Sequence, residues 1–308
     1  MDLSIIIPTH NAEKTIGECL DSLLNQSISP GEIVVVDGNS HDNTEKICHS
    51  FDTPLIRVVK ESQNRFTGSA RNLGAGSAVH DYLVFLDSDC IAQRDLIKNY
   101  GRAFTDHDCV AGNVLIANPG KIANRIYLGE KILLNNHLKD GFITGFFFWV
   151  MNFGIRRDTY LPFPDTTYSE DMVFISSLFR AGRPVKFCKE AVVYHHYPET
   201  VPVFFKKKVN CAKGFIEQCR MIDYVHGKSY FGLIMELMSW DTDNLKDAIE
   251  RKKICFHPHT GFSLDGTPEP EYALENALCL SAAVAVLEEK GLKLPYTYDE
   301  LLERYFIQ

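Results

Sequence analysis

The first 117 residues alternate short apolar runs with helical patterns, and this alternation constrains the fold more than any other feature of the chain. Five runs have the length and hydrophobicity of buried strands: Leu3–Ile7, Glu32–Asp37, Leu55–Val59, Tyr82–Leu86 and Cys109–Ala117. Helical patterns separate them at Ile16–Leu24, Asp42–Ser50, Thr67–Val79 and Arg94–Thr105. Alternating elements of this kind form a mostly parallel sheet with helices on both faces, so we predict an α/β, Rossmann-like fold.

The remainder of the chain is less regular and becomes helical towards its end. We predict strands at Phe146–Ile155 and Ala191–Tyr194, a helix that begins near Ser169, and a terminal helix at Glu271–Lys290. Asn11 is predicted to cap the first helix. These patterns predict an α/β domain over residues 1–200 and a helical region over residues 201–308.

Charge and hydropathy exclude several classes of partner. The net charge of −8 argues against a nucleic-acid partner held by bulk electrostatics. No stretch reaches the roughly 18 apolar residues of a membrane span, and the chain enters a predicted strand at Leu3, so we expect no signal peptide. The nine cysteines contain no CxxC pair, which indicates reduced thiols. We therefore expect a cytoplasmic protein.

Acidic side chains follow the fourth predicted strand directly, in the sequence Asp87-Ser88-Asp89. Residues i and i+2 of an extended backbone project to the same side, so the two carboxylates together suit a hard divalent cation. A strand-end loop with one helix-capping aspartate is the simpler alternative. Other polar residues, including Thr9 and Asp37, also end predicted strands, where ligands bind in sheets of this kind.

Five segments, taken in order, resemble glycosyltransferase family 2, the inverting enzymes with a GT-A fold. They are the opening strand and helix (Ser4–Gln26), a nucleotide-binding turn VVVDGNSHDNT (Val34–Thr44), an ARNxG-type helix GSARNLGAGSA (Gly68–Ala78), a DxD motif FLDSDC (Phe85–Cys90), and an acceptor-side segment ending in a Glu-Asp pair (Asn152–Phe174). The resemblance covers roughly residues 1–200.

The resemblance implies a nucleotide-sugar site with a bound Mn²⁺ or Mg²⁺. Asp87 and Asp89 would hold the ion on the diphosphate, with Asp89 as the direct ligand, and His195 would be a third ligand. His196 is the alternative, and a solvent-facing strand-end histidine is the simpler explanation. The implied donor-binding residues are Pro8, Thr9, Asn11, Asp37, Asn39, Arg71, Asp87 and Ser88.

The identity of the base stays open among UDP-, GDP- and dTDP-sugars, with UDP- or GDP-sugars as the predicted donors. Asp37 would accept a hydrogen bond from a base N–H, but the family often carries two acidic residues where this chain has Asp37-Gly38. Arg71 would contact the base or a phosphate, or it simply pairs with a carboxylate.

Glu170-Asp171 lies at the start of a predicted helix, where acidic residues also occur for their favourable interaction with the helix dipole. The resemblance implies that Asp171 is the general base that deprotonates the acceptor hydroxyl, with Glu170 touching the acceptor or orienting the loop. The predicted activity is an inverting, metal-dependent transfer to a glycan or lipid-linked acceptor. The alternative is a catalytically degenerate module that binds nucleotide-sugars or a partner.

Three further features each allow two interpretations. Trp149 would line the acceptor site or pack in the core, and Arg156-Arg157 would hold an acceptor phosphate or end a strand in solvent. The run Phe204–Lys208 would give peripheral membrane contact or form a charged surface helix. The sequence leaves the role of residues 201–308 and the oligomeric state open.

Overall fold

A computed structural model describes residues 2–61, 67–144, 148–165, 170–219, 241–251, 255–257, 261–263, 273–292, 294, 297 and 300. The chain divides into two compact units, Met1–Tyr197 and Pro198–Gln308. The division lies close to the boundary predicted near residue 200, and the separate roles of the two regions stay predictions.

The first unit contains ten strands and six α-helices among its described residues. The strands are β1 (Leu3–Thr9), β2 (Glu32–Asp37), β3 (Ile56–Lys60), β4 (Tyr82–Leu86), β5 (Cys90–Ala92), β6 (Cys109–Ile116), β7 (Leu138–Lys139), β8 (Phe142–Ile143), β9 (Asn152–Arg156) and β10 (Val185–His195). The helices are α1 (Ile16–Leu24), α2 (Thr44–Ser50), α3 (Thr67–Ser77), α4 (Leu96–Ala103), α5 (Lys121–Asn136) and α6 (Glu170–Arg180).

The strands form one mixed sheet in the order β3-β2-β1-β4-β9-β6-β10-β8-β7, with β5 paired to β10. Strands β1 to β4, β6 and β10 run in one direction, and β9 runs antiparallel between β4 and β6. Every residue of β1 and β2 is buried, as expected for strands covered on both faces. The predicted α/β fold, with its mostly parallel strands, is confirmed.

A glycine lets α3 approach the sheet closely. A Cβ atom at Gly74 would clash with the Ile6 side chain on β1 and would lie 3.1 Å from Val36 on β2. The close packing fixes α3 against the two strands whose ends carry Thr9 and Asp37. The helix can therefore present its own polar residues to the same edge of the sheet.

Four local predictions are wrong. Asn11 does not cap α1, because the N-cap is Thr15 and Asn11 adopts a left-handed φ of 50°. The strand predicted from residue 146 begins at Asn152, because Phe148 and Trp149 precede the paired segment; residues 145–147 lie outside the described residues. The last strand is longer than predicted and carries an irregularity between Cys188 and Val192. Strands β5, β7 and β8 and helix α5 were not predicted.

Arg156 and Arg157 have structural partners, so the solvated strand end is wrong for Arg157, and the acceptor-phosphate role stays a prediction. The Arg157 guanidinium donates hydrogen bonds to the backbone carbonyls of Ala78 and His80, at 2.5 and 2.7 Å, just beyond the end of α3. Arg156 pairs with Asp108 and Asp158 at the surface.

The second unit contains α7 (Val201–Cys219), α8 (Thr242–Glu250), α9 (Ala273–Glu289) and a two-stranded sheet of β11 (Cys255–His257) and β12 (Gly261–Ser263). Phe204 and Phe205 on α7 are buried, whereas Lys206 and Lys207 are exposed. Within the described residues, no helix combines the length and hydropathy needed to cross a membrane.

Candidate active site

The strands that share one direction bring their carboxyl-terminal residues to the same edge of the sheet. Thr9 ends β1, Asp37 ends β2, the Asp87–Asp89 turn follows β4, and His195 ends β10. This edge is where ligands bind in sheets of this type. The fold thus gathers residues that are up to 186 positions apart between Thr9 and His195 (195 − 9).

Asp37 is buried and already hydrogen-bonded within its own loop. The Ser40 hydroxyl donates to its Oδ1 at 2.5 Å, and the Ser40 backbone N–H lies 3.3 and 3.4 Å from its two carboxylate oxygens. The intervening Asn39 has a left-handed φ of 60°. Asp37 therefore stabilises the tight turn after β2, a contact that the predicted base-binding role did not include.

The loop after β1 is tied to that turn. The Gly38 backbone N–H donates to the Thr9 carbonyl at 2.8 Å, and Asn11 accepts a 2.9 Å hydrogen bond from the His41 backbone N–H through Oδ1. Pro8 is buried within β1, in register with Val36. Among the predicted donor-binding residues, Pro8, Thr9, Asn11, Asp37 and Asn39 thus lie together.

Arg71 is buried and joins the turn after β4 to the first turn of α6. Its guanidinium donates one hydrogen bond to Asp87 Oδ1 and another to Glu170 Oε1, both at 2.8 Å, and its Cζ lies 5.2 Å from the centre of the Phe163 ring. Its interaction with carboxylates is the alternative that the sequence left open. Asp87 and Glu170 are 83 residues apart in the chain (170 − 87), and one side chain holds both.

The pKa values of this cluster reflect its burial. Burial acts to lower the pKa of Arg71, but the charges of Asp87 and Glu170 outweigh it, so the pKa of Arg71 is raised and the side chain stays cationic. Burial raises the pKa of Glu170 above its usual range, and the negative charge of Asp171 adds to this effect, while the Arg71 charge opposes it. The arrangement is a buried cation between carboxylates, whose loss would leave uncompensated charge.

Helix α6 begins at this cluster and carries both predicted catalytic carboxylates. Glu170 and Asp171 form its first turn, and Asp171 Oδ1 accepts a 2.8 Å hydrogen bond from the Met172 backbone N–H. Gly68 on α3 makes room for Glu170, because a Cβ there would lie 3.1 Å from Glu170 Cγ and 3.0 Å from the Pro164 carbonyl oxygen. Arg71 and Gly68 together set where α6 starts relative to α3.

Asp89 and His195 approach each other at the end of β10. Their Oδ2 and Nε2 atoms are 3.3 Å apart, and the His195 imidazole packs edge-on against Tyr197, with ring centres separated by 4.7 Å. Two ligands at right angles around one Mg²⁺ or Mn²⁺ are about 3 Å apart, so this pair has a suitable separation. His196 points elsewhere, with Nε2 3.7 Å from Glu18 Oε2.

Asp87 does not complete a three-ligand site in this arrangement. Within the part of the chain that the structure describes, no three His, Cys, Asp or Glu side chains are grouped as ligands of one ion. Asp87 Oδ1 faces Arg71 instead. Ser88 lies in the turn between the two aspartates, partly exposed. Asp89 and His195 are the side chains that would hold such an ion.

Two groups at this edge were not identified from the sequence. Glu61, directly after β3, is 8% exposed and its Oε1 accepts a 2.6 Å hydrogen bond from the Ser69 hydroxyl. Glu130 on α5 accepts hydrogen bonds from Trp149 Nε1 and Tyr197 Oη, both at 2.8 Å. Trp149 is 4% exposed, which favours the core interpretation. Glu61 had one available signal, its position at the end of a predicted strand.

Comparison with known proteins identifies the family. Residues 4–161 match the family model "Glycosyl transferase family 2". The chain belongs to glycosyltransferase family 2. It is 28% identical over 219 residues to the uncharacterized glycosyltransferase EpsJ of Bacillus subtilis, a match that covers 65% of this chain and 62% of EpsJ. It is 29% identical over 220 residues to the O-antigen chain rhamnosyltransferase RfbN of Salmonella typhimurium, covering 65% and 68%.

The structural comparison agrees on the fold. The mannosyltransferase PcManGT of Pyrobaculum calidifontis, solved with GDP-Man and Mn²⁺, superposes with a TM-score of 0.55 at 16% identity, covering 98% of this chain and 78% of PcManGT. The predicted GT-A fold is therefore confirmed. The matches to the first curated relatives span 62% of EpsJ and 33% of the Streptococcus pneumoniae glycosyltransferase GlyG, less than two thirds of either protein.

Proposed function

We propose that the protein transfers a sugar from a nucleoside-diphosphate sugar to an acceptor hydroxyl, with inversion at the anomeric carbon. Membership of family 2 and the names of the relatives support glycosyl transfer as the reaction class. The observation that carries the proposal is the Arg71 bridge, because it joins a donor-side carboxylate, Asp87, to the helix that carries Glu170 and Asp171. Donor and acceptor chemistry would meet across this bridge.

On the donor side, Asp89 and His195 would hold Mn²⁺ or Mg²⁺ against the diphosphate. When bound, such an ion offsets the negative charge that develops on the leaving diphosphate. Asp87 would contact the donor beside the ion while Arg71 keeps its carboxylate oriented. The loops that carry Thr9 and Asn39 would enclose the nucleoside end of the donor.

On the acceptor side, Asp171 would take the proton of the attacking hydroxyl. A sugar hydroxyl is a poor nucleophile near neutral pH, so a carboxylate within hydrogen-bond reach is needed as it attacks. Glu170 is held by Arg71 and is less suited to this role, because its carboxylate is already engaged. Glu170 would instead position the first turn of α6, and Asp171 with it.

The proposed acceptor is a glycan or a lipid-linked molecule, and its support is the names of the relatives. RfbN is named as an O-antigen chain rhamnosyltransferase. A glycan or lipid-linked acceptor is compatible with the partly exposed position of Asp171 at the start of α6. No oligomeric state is needed for this chemistry.

The direct test is donor turnover in the presence of Mn²⁺ or Mg²⁺. Wild-type protein should release the nucleoside diphosphate from a UDP- or GDP-sugar by slow hydrolysis, and chelation of the metal should abolish release. With an α-linked donor, proton NMR should detect the β-anomer first, as inversion requires. Metal-dependent donor binding without any turnover would favour the degenerate binding module, and first release of the α-anomer would exclude inversion.

The assignment of the base is tested by Asp171→Asn, with Asp158→Asn as the matched control. The first variant should bind donor as wild type does, yet its turnover should fall by about 100-fold or more. Asp158 is exposed and its ion-pair partner among the described residues is Arg156, so its variant should keep full activity. Full turnover by the Asp171 variant would remove the residue from the mechanism.

A further inference from the structure

Glu61 is a buried carboxylate with an unsatisfied oxygen at the end of β3. Its Oε1 accepts from Ser69, but its Oε2 is buried and has no hydrogen-bond partner among the described residues. A buried acceptor left unpaired costs free energy, so such an atom in a folded protein calls for an explanation. The Thr9 hydroxyl, at the end of β1, is likewise buried without a partner in the described chain.

The position of Glu61 connects it to the nucleotide loop. Its backbone N–H donates to the Asp37 carbonyl at 2.9 Å, so the end of β3 is fastened to the end of β2. The side chain is held from the other direction by Ser69 on α3, two residues before Arg71. Both anchors belong to segments that form the candidate donor site, and the carboxylate is therefore part of that site's wall.

Asp37, the residue expected to accept from the base, is engaged elsewhere. Ser40 donates to it from both its hydroxyl and its backbone N–H. Glu61 Oε2, at the end of the neighbouring strand, lacks any such donor within the described residues. The family often carries a second acidic residue next to the position of Asp37, where this chain has Gly38. In this structure Glu61, directly after β3, places an acidic group beside Asp37 instead.

Distance along the sheet selects the part of the donor that can reach Glu61. In the order β3-β2-β1-β4, Glu61 lies three strand spacings, about 14 Å, from the strand that leads into Asp87. If the diphosphate lies near Asp87 and Asp89, its charge is kept away from the Glu61 carboxylate. Only the base, at the opposite end of a nucleoside diphosphate, extends that far.

We infer that Glu61 reads the donor base by accepting a hydrogen bond from a ring N–H. This inference rests on the proposed function and names its donor class. Uracil, thymine and guanine carry a ring N–H beside a carbonyl, whereas cytosine and adenine present an unprotonated ring nitrogen there. A carboxylate only accepts, so it favours the first three bases and repels the lone pair of the other two.

The experiment measures binding of two size-matched nucleotide pairs, UDP with CDP and GDP with ADP, by calorimetry with Mn²⁺ present. Wild type should bind UDP or GDP about 10- to 100-fold more tightly than its matched partner, as expected for a hydrogen bond to a charged group. In Glu61→Gln the ratio should shrink towards one, because the amide can also donate to an unprotonated ring nitrogen. Ser69→Ala should weaken the preference less, since the carboxylate remains.

Glu45→Gln is the matched control. Glu45 lies on α2 and forms a surface ion pair with Lys60, the residue before Glu61, so its variant should leave every affinity unchanged. Equal weakening of all four nucleotides in Glu61→Gln would indicate a ribose contact or a structural role and would overturn the inference, as would unchanged affinities. If wild type binds none of the four and does not bind dTDP either, the proposed donor site itself fails, and that result is distinct from a changed base ratio.

Discussion

His195 and His196 are adjacent in the chain but face different carboxylates, so they form a matched pair for testing the metal site. His195 Nε2 lies near Asp89, and His196 Nε2 lies near Glu18. His195→Ala should lose the rise in Tm that Mn²⁺ and donor together give wild type, because a ligand that binds only the native state stabilises it. His196→Ala should keep it. Equal behaviour of the two variants would contradict the assignment of His195.

Arg71 offers a stability prediction that is independent of any ligand. Replacing it by Met leaves Asp87 and Glu170 without their buried cation, so the free energy of unfolding should fall by about 3 kcal/mol or more. Arg156→Met removes the surface ion pairs with Asp108 and Asp158 and should cost about 1 kcal/mol or less. Urea denaturation of both variants measures the difference. Similar losses would mean that the Arg71 bridge contributes little.

At the scale of single residues, the sequence identified the members of the site but not which of them contact each other. The motifs brought Asp87, Asp89, Arg71, Glu170 and Asp171 into one candidate site, but they could not pair them. Which histidine faces Asp89 depends on the alternation of side chains at the end of β10. Whether Arg71 meets a base or a carboxylate depends on how deeply α3 is buried. Both are properties of packing, which a linear pattern does not contain.

Gly68 and Gly76 on helix α3 differ in their surroundings, so alanine substitutions at the two positions distinguish an effect of packing from an effect of backbone flexibility. A Cβ at Gly68 would meet Glu170 and the Pro164 carbonyl at 3.0–3.2 Å, whereas a Cβ at Gly76 would meet nothing within 4 Å. Gly68→Ala should displace the start of α6 by a few tenths of an ångström and lower donor turnover by about tenfold or more, because catalysis is sensitive to small misplacements.

Gly76→Ala is the control for this prediction. It should stabilise α3 by up to about 1 kcal/mol, through the higher helix propensity of alanine, and leave turnover unchanged. The two variants are compared by steady-state donor hydrolysis and by thermal unfolding. Unchanged turnover in Gly68→Ala, with normal stability, would show that α6 tolerates movement at this contact.

At the scale of helices and strands, the bounds predicted from the sequence were most accurate for strands that are buried on both faces. The bounds of β2 and β4 match their predictions, because each apolar run is enclosed on both faces of the sheet and is followed directly by an aspartate, which is Asp37 in β2 and Asp87 just after β4. The run from residue 146 was misleading, because hydrophobicity does not distinguish a buried loop such as Phe148–Val150 from a paired strand. The two-residue strands β7 and β8 are too short to produce a pattern.

At the scale of the whole molecule, the order of the motifs along the chain was the strongest evidence for the fold and the site. Each motif alone was compatible with a simple structural role, but their order fits one arrangement of strand ends around one edge of a sheet. The order of the motifs could not identify a site residue that lies outside them. Glu61 follows β3 between two recognised segments, and only the parallel pairing of β2 with β3 brings it beside Asp37.

Peripheral membrane contact through the run Phe204–Lys208 is a prediction for the molecule as a whole, and the structure changes which side chains of this run could make the contact. Phe204 and Phe205 are buried, so the apolar residues of the predicted contact do not face solvent. Lys206 and Lys207 remain exposed and Lys208 is partly exposed, so the contact that the run Phe204–Lys208 itself could make is electrostatic. Near an anionic surface each lysine contributes about 1 kcal/mol, whereas stable anchoring takes two signals, such as an acyl chain with a polybasic patch.

We therefore expect weak binding to vesicles that contain phosphatidylserine, fully reversed by salt because screening shortens the range of the attraction. Neutral vesicles should bind nothing, since they offer the lysines no opposite charge and the protein inserts no apolar side chain through Phe204 or Phe205. Co-sedimentation at low and high salt measures this, and Lys206→Glu with Lys207→Glu should abolish it. Binding that persists at high salt would require an apolar contact elsewhere on the protein.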